Sequence, residues 1–349
     1  MCLRKPPGEV NEQVASRAAV SYRSTMRYRR VTVLGGSGFI GRYIVKRLAQ
    51  RGAIVAVVGR HAGDAGFLRP MGDVGQIALI EANIGDEARL AAALTGSDAV
   101  ICAAGILYQR GRQRFDLVHH QGPALLARLA KGAGAKRFVH ISAIGADPAS
   151  PSAYARSKAA GEAAVRAAFP EATILRPSVV FGPEDDFFNR FAALARFMPA
   201  LPLIGGGHTR FQPVYVGDVA DAAMAALDRA DAEGAVYELG GPKVYSFSEL
   251  MQLLLRQIDR RRFLLPWPYG LAAFQAMFLE RLPKPPLTRD QVKMLRRDNV
   301  VGQGRPGLAD LGIDATAAEL ILPTYLDRFC RGGHHAAGER GAPTGTSAA

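Results

Sequence analysis

The sequence predicts an α/β fold, a doubly wound parallel sheet with a smaller C-terminal lobe. Three observations predict it. Short runs of β-branched and apolar residues alternate with helical stretches, the order that builds a parallel sheet covered on both faces. The first run, Val31-Thr-Val-Leu34, leads straight into Gly35-x-x-Gly38-x-x-Gly41. An apolar stripe then follows at Ile40, Ile44 and Leu48, the spacing of one helix face. Strand, glycine turn and helix form the opening unit of a Rossmann-type dinucleotide-binding domain. The glycines permit a tight turn, close approach to a pyrophosphate and close helix-on-strand packing, and the helix N-terminus attracts phosphate.

The later elements follow in turn. Strands are predicted at Ala53–Val58, Ile77–Ile80, Ala99–Ala103, Arg137–Ile141 and Thr173–Leu175, and helices at Asp86–Leu94, Phe115–Gly132 and Ser152–Ala168. Beyond Pro177 the alternation loosens, and Gly and Pro become frequent. The expected divisions are a disordered basic leader (1–28), the nucleotide-binding domain (29–260, with substrate-side elements from about 177), a basic and apolar lobe (261–330) facing a membrane or partner, and a disordered tail (331–349).

A chain of 349 residues can bury a sizeable core. Its three cysteines, Cys2, Cys102 and Cys330, are too scattered for a disulfide framework or a zinc site, which fits a reducing compartment. The net charge of +13 is concentrated: residues 1–30 carry +5 and residues 256–306 carry +7. The nucleotide-binding body is close to neutral, so the basic segments suit an acidic partner or an anionic membrane surface. No apolar run near the N-terminus marks a secretory signal. Nucleic acid is not expected, because no stacking-aromatic motif accompanies the positive charge.

The end of the second strand selects the nucleotide. An acid there would bind the 2′-hydroxyl of NAD; the sequence reads Val58-Gly59-Arg60-His61 instead. An arginine at that place accommodates a 2′-phosphate, so NADPH is favoured over NADH. Ser142 follows the fifth strand, and Tyr154-Ala-Arg-Ser-Lys158 lies on the next helix. Tyr154 and Lys158, four apart, share a helix face. An ammonium beside a phenol lowers its pKa and makes it a usable acid/base, and the lysine also reaches a nicotinamide ribose. Ser142 is placed to hydrogen-bond a substrate oxygen. The expected cofactor contacts are Gly35, Ser37, Gly38, Phe39, Ile40, Gly41, Arg60, Asn83, Ala103, Ala104, Gly105, Tyr154, Lys158, Pro177 and Val180, with Ser142, Tyr154 and Lys158 as the catalytic set, active or vestigial.

By these residues the chain resembles the short-chain dehydrogenase/reductase superfamily in its extended or atypical branch: GGSGFIG at 35–41, CAAG at 102–105, YARSK at 154–158, LRPSVVFGPED at 175–185 and PVYVGDVADA at 213–222. Cys102 stands where many members carry Asn, so a proton relay there is not expected. LRPMGDVGQ at 68–76, LLPWPYG at 264–270 and LTRDQVKML at 287–295 narrow the resemblance. They are similar to the NADPH-binding accessory subunits of respiratory complex I and their bacterial homologues, from about Val31 to Leu326. That resemblance implies a tightly held NADPH without turnover, complex I subunits near the membrane junction as partners, and a cytoplasmic position peripheral to the inner face of a bacterial plasma membrane. The alternative is an active NAD(P)-dependent oxidoreductase or sugar-nucleotide epimerase/dehydratase.

Phe263–Leu279 runs for seventeen residues without a charge between Arg260–Arg262 and Glu280–Arg281. A spanning helix needs about 20 apolar residues, and Pro266 and Pro268 confine any helix to the part after them. The segment therefore does not span a membrane. A buried helix and a surface resting on a bilayer or hydrophobic partner remain open, the latter with Trp267, Tyr269 and Phe274 at the interface. The histidine pairs His119–His120 and His334–His335 have no partner at ligand spacing, so no metal site is expected.

Overall fold

The computed structural model describes residues 27–330; the predicted leader up to residue 26, the tail and His334–His335 lie outside the described residues. Six strands match the predicted ones within a residue or two: β1 (Arg30–Leu34), β2 (Ile54–Gly59), β3 (Ile77–Glu81), β4 (Ala99–Cys102), β5 (Arg137–Ile141) and β6 (Thr173–Pro177). Beyond them lie the short β7 (Val180–Phe181), β8 (Ala200–Ile204), β9 (Arg210–Phe211) and β10 (Val214–Tyr215), then β11 (Val236–Leu239), β12 (Tyr245–Ser246) and β13 (Phe263–Trp267). The main sheet has seven strands in the order β3-β2-β1-β4-β5-β6-β11, every pair parallel. The order reverses between β1 and β4, and a crevice opens there beyond the strand ends, the usual ligand position in such sheets.

Alternation along the strands sends side chains to two cores. Val31, Val33, Val55, Val57, Ile101 and Val139 face α1 (Phe39–Gln50), which contributes Ile44 and Leu48, and the alanine-rich helix Val216–Asp228. Leu34, Val58, Val100 and Phe138 face α2 (Glu87–Leu94), α3 (Gly122–Gly132) and α4 (Ala153–Ala168). Ile44 and Leu48 are fully buried, which contributes about 1.5–3 kcal/mol each. Thr32 points into the second core and satisfies its hydroxyl on Ser97 Oγ (2.6 Å) and the Ala93 carbonyl (3.2 Å).

The differences from the predicted elements have local causes. Asp86 and Ser152 are caps rather than helical residues: their side chains accept from the N–H groups of Arg89 (3.1 Å) and Ala155 (3.3 Å). The single helix expected over 115–132 opens with a π-helical turn, Asp116–Gln121. Pro123 has no N–H to offer the His119 carbonyl, so regular α bonding is interrupted there. The ten-residue 3₁₀ stretch Ala62–Met71 and the seventh strand, β11, were not expected from the sequence.

Past β6 a separate core gathers Phe181, Phe188, Phe247, Leu250, Leu254 and Leu322. It is built by α5 (Phe188–Phe197) and, beyond α6 (Val216–Asp228, the alanine-rich helix of the first core), by α7 (Phe247–Gln257) and, past α8 (Tyr269–Leu279) and α9 (Arg289–Met294), by α10 (Ala318–Leu326). The uncharged segment becomes β13, paired in parallel with β8, followed by α8. Pro266 is tolerated because β13 pairs on one side only. In α8 only Ala272 and Ala276 are buried, so an ordinary core helix is excluded. Phe263 is 76% exposed, Phe274 60%, and Leu265, Leu271, Met277 and Phe278 are also exposed. Among the described residues no helix is long and apolar enough to cross a membrane.

Candidate dinucleotide-binding site

The glycine turn lies at the reversal between β1 and β4. Gly35 has φ +80°, a left-handed conformation that a side chain would strain, and a Cβ there would meet Ala104 N at 2.8 Å and Ala103 C at 2.9 Å. The loops after β1 and β4 thus touch backbone to backbone, with Ala103 and Ala104 against the turn. Gly41 is needed for a different reason: its Cβ would lie 2.1 Å from the Gly35 carbonyl oxygen. Gly38 is the N-cap of α1, with no side-chain cap and no acid in the first turn. The N–H groups of the first turn, around Phe39 and Ile40, therefore face a positive helix end suited to phosphate.

Arg42 braces this turn. It donates to the carbonyls of Ser37 (3.4 Å) and Gly38 (3.3 Å), stacks over Phe67 at 4.9 Å and pairs with Glu184 at 3.5 Å. Gly59 ends β2 beside Ser37, whose Oγ lies 3.6 Å from where a Gly59 Cβ would be. Arg60 is exposed and forms no ion pair or hydrogen bond among the described residues. Asn83 is also exposed, in the turn after β3, where the Ala82 N–H bonds Gly59 O at 3.0 Å. Neither side chain is held in place, whereas the glycine turn is.

On the other side of the crevice, Lys158 is 4% exposed and donates to the Ile141 carbonyl at 3.2 Å. Its Nζ is 3.6 Å from the position of a Gly105 Cβ, so it borders the loop after β4. Burial pulls its ammonium down to about 8, against the opposing influence of Cys102 and Glu162. Tyr154 shares the helix face with Lys158, and its ring meets those of His119 and Phe115 edge-on at 5.2 and 5.8 Å. The Ser142 hydroxyl, just past β5, is buried and has no partner. Pro177 ends β6 and accepts from the Ile144 N–H, and Val180 opens the short pairing with Val214. A cradle that any Cβ would fill, together with an orphaned buried hydroxyl, fits a dinucleotide laid across the switch point.

Burial pushes the phenol of Tyr154 up to about 12, and Lys158 donates to the Ile141 carbonyl rather than to the phenol. Cys102 is fully buried and its thiol is raised to about 11, chiefly by burial.

Several supporting residues escaped the sequence. His119 accepts from the Ile106 N–H through Nε2 (3.0 Å) and faces Ser157 Oγ through Nδ1 (2.9 Å). Ser157 itself donates to the Tyr154 carbonyl (2.7 Å), so His119 is the neutral Nδ1–H tautomer that ties the loop after β4 to α4. Gly161 lets α4 close on the His119 carbonyl, 1.8 Å from where a Cβ would lie. Arg176 makes a bidentate pair with Glu162 (2.9 and 2.6 Å) and reaches Glu238 at 3.3 Å, which fixes α4 to the sheet. Their signals are long-range pairings that spacing along the chain does not show. A cavity of about 200 Å³ lies beside the loop after β4, lined by Ile106, Leu107, Tyr108, Arg110 and Gln113. Among the described residues no cluster of ligating side chains is suited to a metal ion.

Sheet order, glycine cradle and the Tyr154–Lys158 helix define a nicotinamide-dinucleotide-binding protein of the extended short-chain dehydrogenase type. Residues 31–240 match the model of the NAD dependent epimerase/dehydratase family. The chain is 36% identical over 314 residues to the mitochondrial NADH dehydrogenase (ubiquinone) 1 alpha subcomplex subunit 9 of Arabidopsis thaliana, covering 86% of this chain and 78% of that one. It is 31% identical over 308 residues to the mitochondrial NADH-ubiquinone oxidoreductase 40 kDa subunit of Neurospora crassa, covering 88% and 81%. Among solved structures, the fold is similar to that of the dTDP-glucose 4,6-dehydratase DesIV of Streptomyces venezuelae with NAD and TYD bound (TM-score 0.67, 22% identity, 86% and 97% covered). The chain belongs to the NAD dependent epimerase/dehydratase family, in the branch of the complex I accessory subunits.

Proposed function

We propose that the protein is an accessory subunit of a bacterial respiratory complex I that holds NADPH as a structural cofactor. The observation that carries this reading is the apolar face of β13 and α8. Phe263, Leu265, Leu271, Phe274, Met277 and Phe278 are all exposed on it, and Arg260–Arg262 and Arg281 flank it. An exposed apolar patch rimmed by charge marks an interaction surface, and nucleotide binding has no need of one. Anionic headgroups and the membrane junction of the complex suit it, which supports a position on the inner face of the plasma membrane. The lack of an acid after β2 and the free guanidinium of Arg60 favour NADPH over NADH. When bound, the nicotinamide supplies hydride chemistry; the chain's own residues clamp the pyrophosphate at Gly35–Gly41 and the ribose side at Lys158.

The expected result with liposomes containing anionic lipid is co-sedimentation that high salt reverses. Replacing both Phe274 and Phe278 with Ser should weaken it on the order of tenfold or more, since each ring buries substantial apolar area. Equal sedimentation of the double variant, or none by the parent, would remove the membrane part of the reading. A second reading, an active NAD(P)-dependent oxidoreductase or epimerase/dehydratase, draws on the buried Ser142 hydroxyl, which has no hydrogen-bond partner among the described residues.

A further inference from the structure

The helix bearing Tyr154 and Lys158 does not cap itself alone. Its N-cap Ser152 donates its hydroxyl proton to Asp290 Oδ2 at 2.7 Å, while its Oγ accepts from the Ala155 N–H. The other oxygen of Asp290 accepts from the Ala153 N–H at 2.7 Å, and Oδ2 also accepts from the Tyr154 N–H at 3.0 Å. One carboxylate, 136 residues further along the chain, thus satisfies two of the free N–H groups of that first turn and sets a negative charge at the helix's positive end. Asp290 is itself fixed. Thr288 and Gln291 close a reciprocal capping box around the start of α9, and the Arg289 N–H and guanidinium bond Glu280 at 2.6 and 3.0 Å, joining α9 to the end of α8.

The same segment is tied to its neighbours on both sides. Arg110 donates to the Pro283 carbonyl (3.1 Å) and Arg190 to that of Pro286 (3.0 Å). Lys293 reaches the Pro151 carbonyl at 3.4 Å and Arg297 the Asp147 carboxylate at 2.7 Å. Segment 283–297 therefore bridges the loop after β4, the loop after β5 and α5, and continues without a break from the exposed apolar helix α8.

We infer that Asp290 is a positioning residue for the nicotinamide end of the site, and that segment 283–297 couples the exposed α8 face to nucleotide retention. Tyr154 sits in the turn that Asp290 caps, and Lys158 lies one turn further on. Whatever seats α8 also seats Asp290, and through it the two side chains beside the nicotinamide ribose. Coupling of this kind is reciprocal, so nucleotide on Lys158 and Tyr154 also orders 283–297.

The test uses the full chain carrying Asp290→Ala, with Asp290→Asn as the conservative variant that keeps one acceptor oxygen. Two quantities are read: amide hydrogen exchange at 152–158, and the release rate of bound nucleotide followed by nicotinamide fluorescence on dilution. Asp290→Ala is expected to speed exchange at 152–158 at least tenfold relative to the sheet strands and to raise the release rate on the order of tenfold. Asp290→Asn should recover most of both. Removing nucleotide from the parent protein should speed exchange at 283–297. The effect on release rests on the chain holding a nicotinamide nucleotide; the effect of Asp290→Ala on helix exchange does not, so failure of the one is separable from failure of the other. Parent-like exchange at 152–158 in Asp290→Ala, or acceleration spread evenly over the sheet, would overturn the role of Asp290. If Asp290→Ala does not fold, Arg297→Ala decides: local loosening at 152–158 supports the role, and parent-like exchange there refutes it.

Discussion

Gly41→Val is expected to abolish nucleotide binding and to cost the fold on the order of 3 kcal/mol, at the upper end of ordinary overpacking. The first β-carbon alone would lie 2.1 Å from the Gly35 carbonyl oxygen and 2.6 Å from Gly36 Cα. Both are backbone atoms of the turn, so no flexible side chain can move aside. Relief requires α1 to lift from β1, which uncovers Ile44 and Leu48 and widens the pyrophosphate cradle. Gly38→Ala makes the contrast. Its Cβ would come no closer than 3.2 Å to the chain, so the fold should survive while the methyl group occupies space the phosphates need. Urea denaturation paired with a nucleotide assay separates the two effects. A Gly41→Val protein with parent-like stability and full nucleotide content would contradict the packing argument.

Mild acid should cost the protein stability through two buried histidines. His119 is held down to about 2 and His140 to about 3, in both cases mainly by burial and then by the neighbouring Lys158. Both imidazoles are neutral in the folded state at neutral pH. The unfolded chain takes up protons on them as pH falls below about 6.5, so it binds more protons than the folded chain between there and about pH 3. Stability is therefore fully present above the unfolded value and is lost as pH falls through that window. Between pH 7 and 5 the two groups together should cost about 4 kcal/mol. His140→Leu tests this cleanly, because neither ring nitrogen of His140 has a hydrogen-bond partner to orphan. The variant should lose roughly half of the acid slope measured by denaturation at a series of pH values; an unchanged slope would refute the assignment.

The parts of the fold legible in the sequence were those encoded locally. The run Val31–Leu34, the glycine turn and the stripe of α1 lie within twenty residues of one another, and their periodicities survive in the structure. Tyr154 and Lys158 share a face because four residues make about one turn. What the sequence hid is tertiary. β11 is four residues long and becomes a strand only by pairing with β6. β13 contains a proline that argues against a strand until its unpaired edge is seen. His119 read as half of the pair His119–His120 with no partner at ligand spacing, yet it ties the loop after β4 to Ser157. The surroundings of Tyr154 were hidden for a similar reason. Spacing puts a lysine on the phenol's face, but packing decides that its ammonium turns to Ile141 and that burial dominates both groups. The exposed apolar face of α8 was legible as composition, since Pro266 and Pro268 limited the helix, although which side was covered required the structure.

The central claim, a complex I subunit with a held NADPH, is tested most directly by recovering the tagged protein at native expression level from gently solubilised membranes. Its co-purifying proteins and its nucleotide are then identified together. The account predicts subunits of the NADH:quinone oxidoreductase in the eluate and stoichiometric NADPH that does not exchange with added nucleotide. A protein recovered alone, with a nucleotide that washes away, would contradict it.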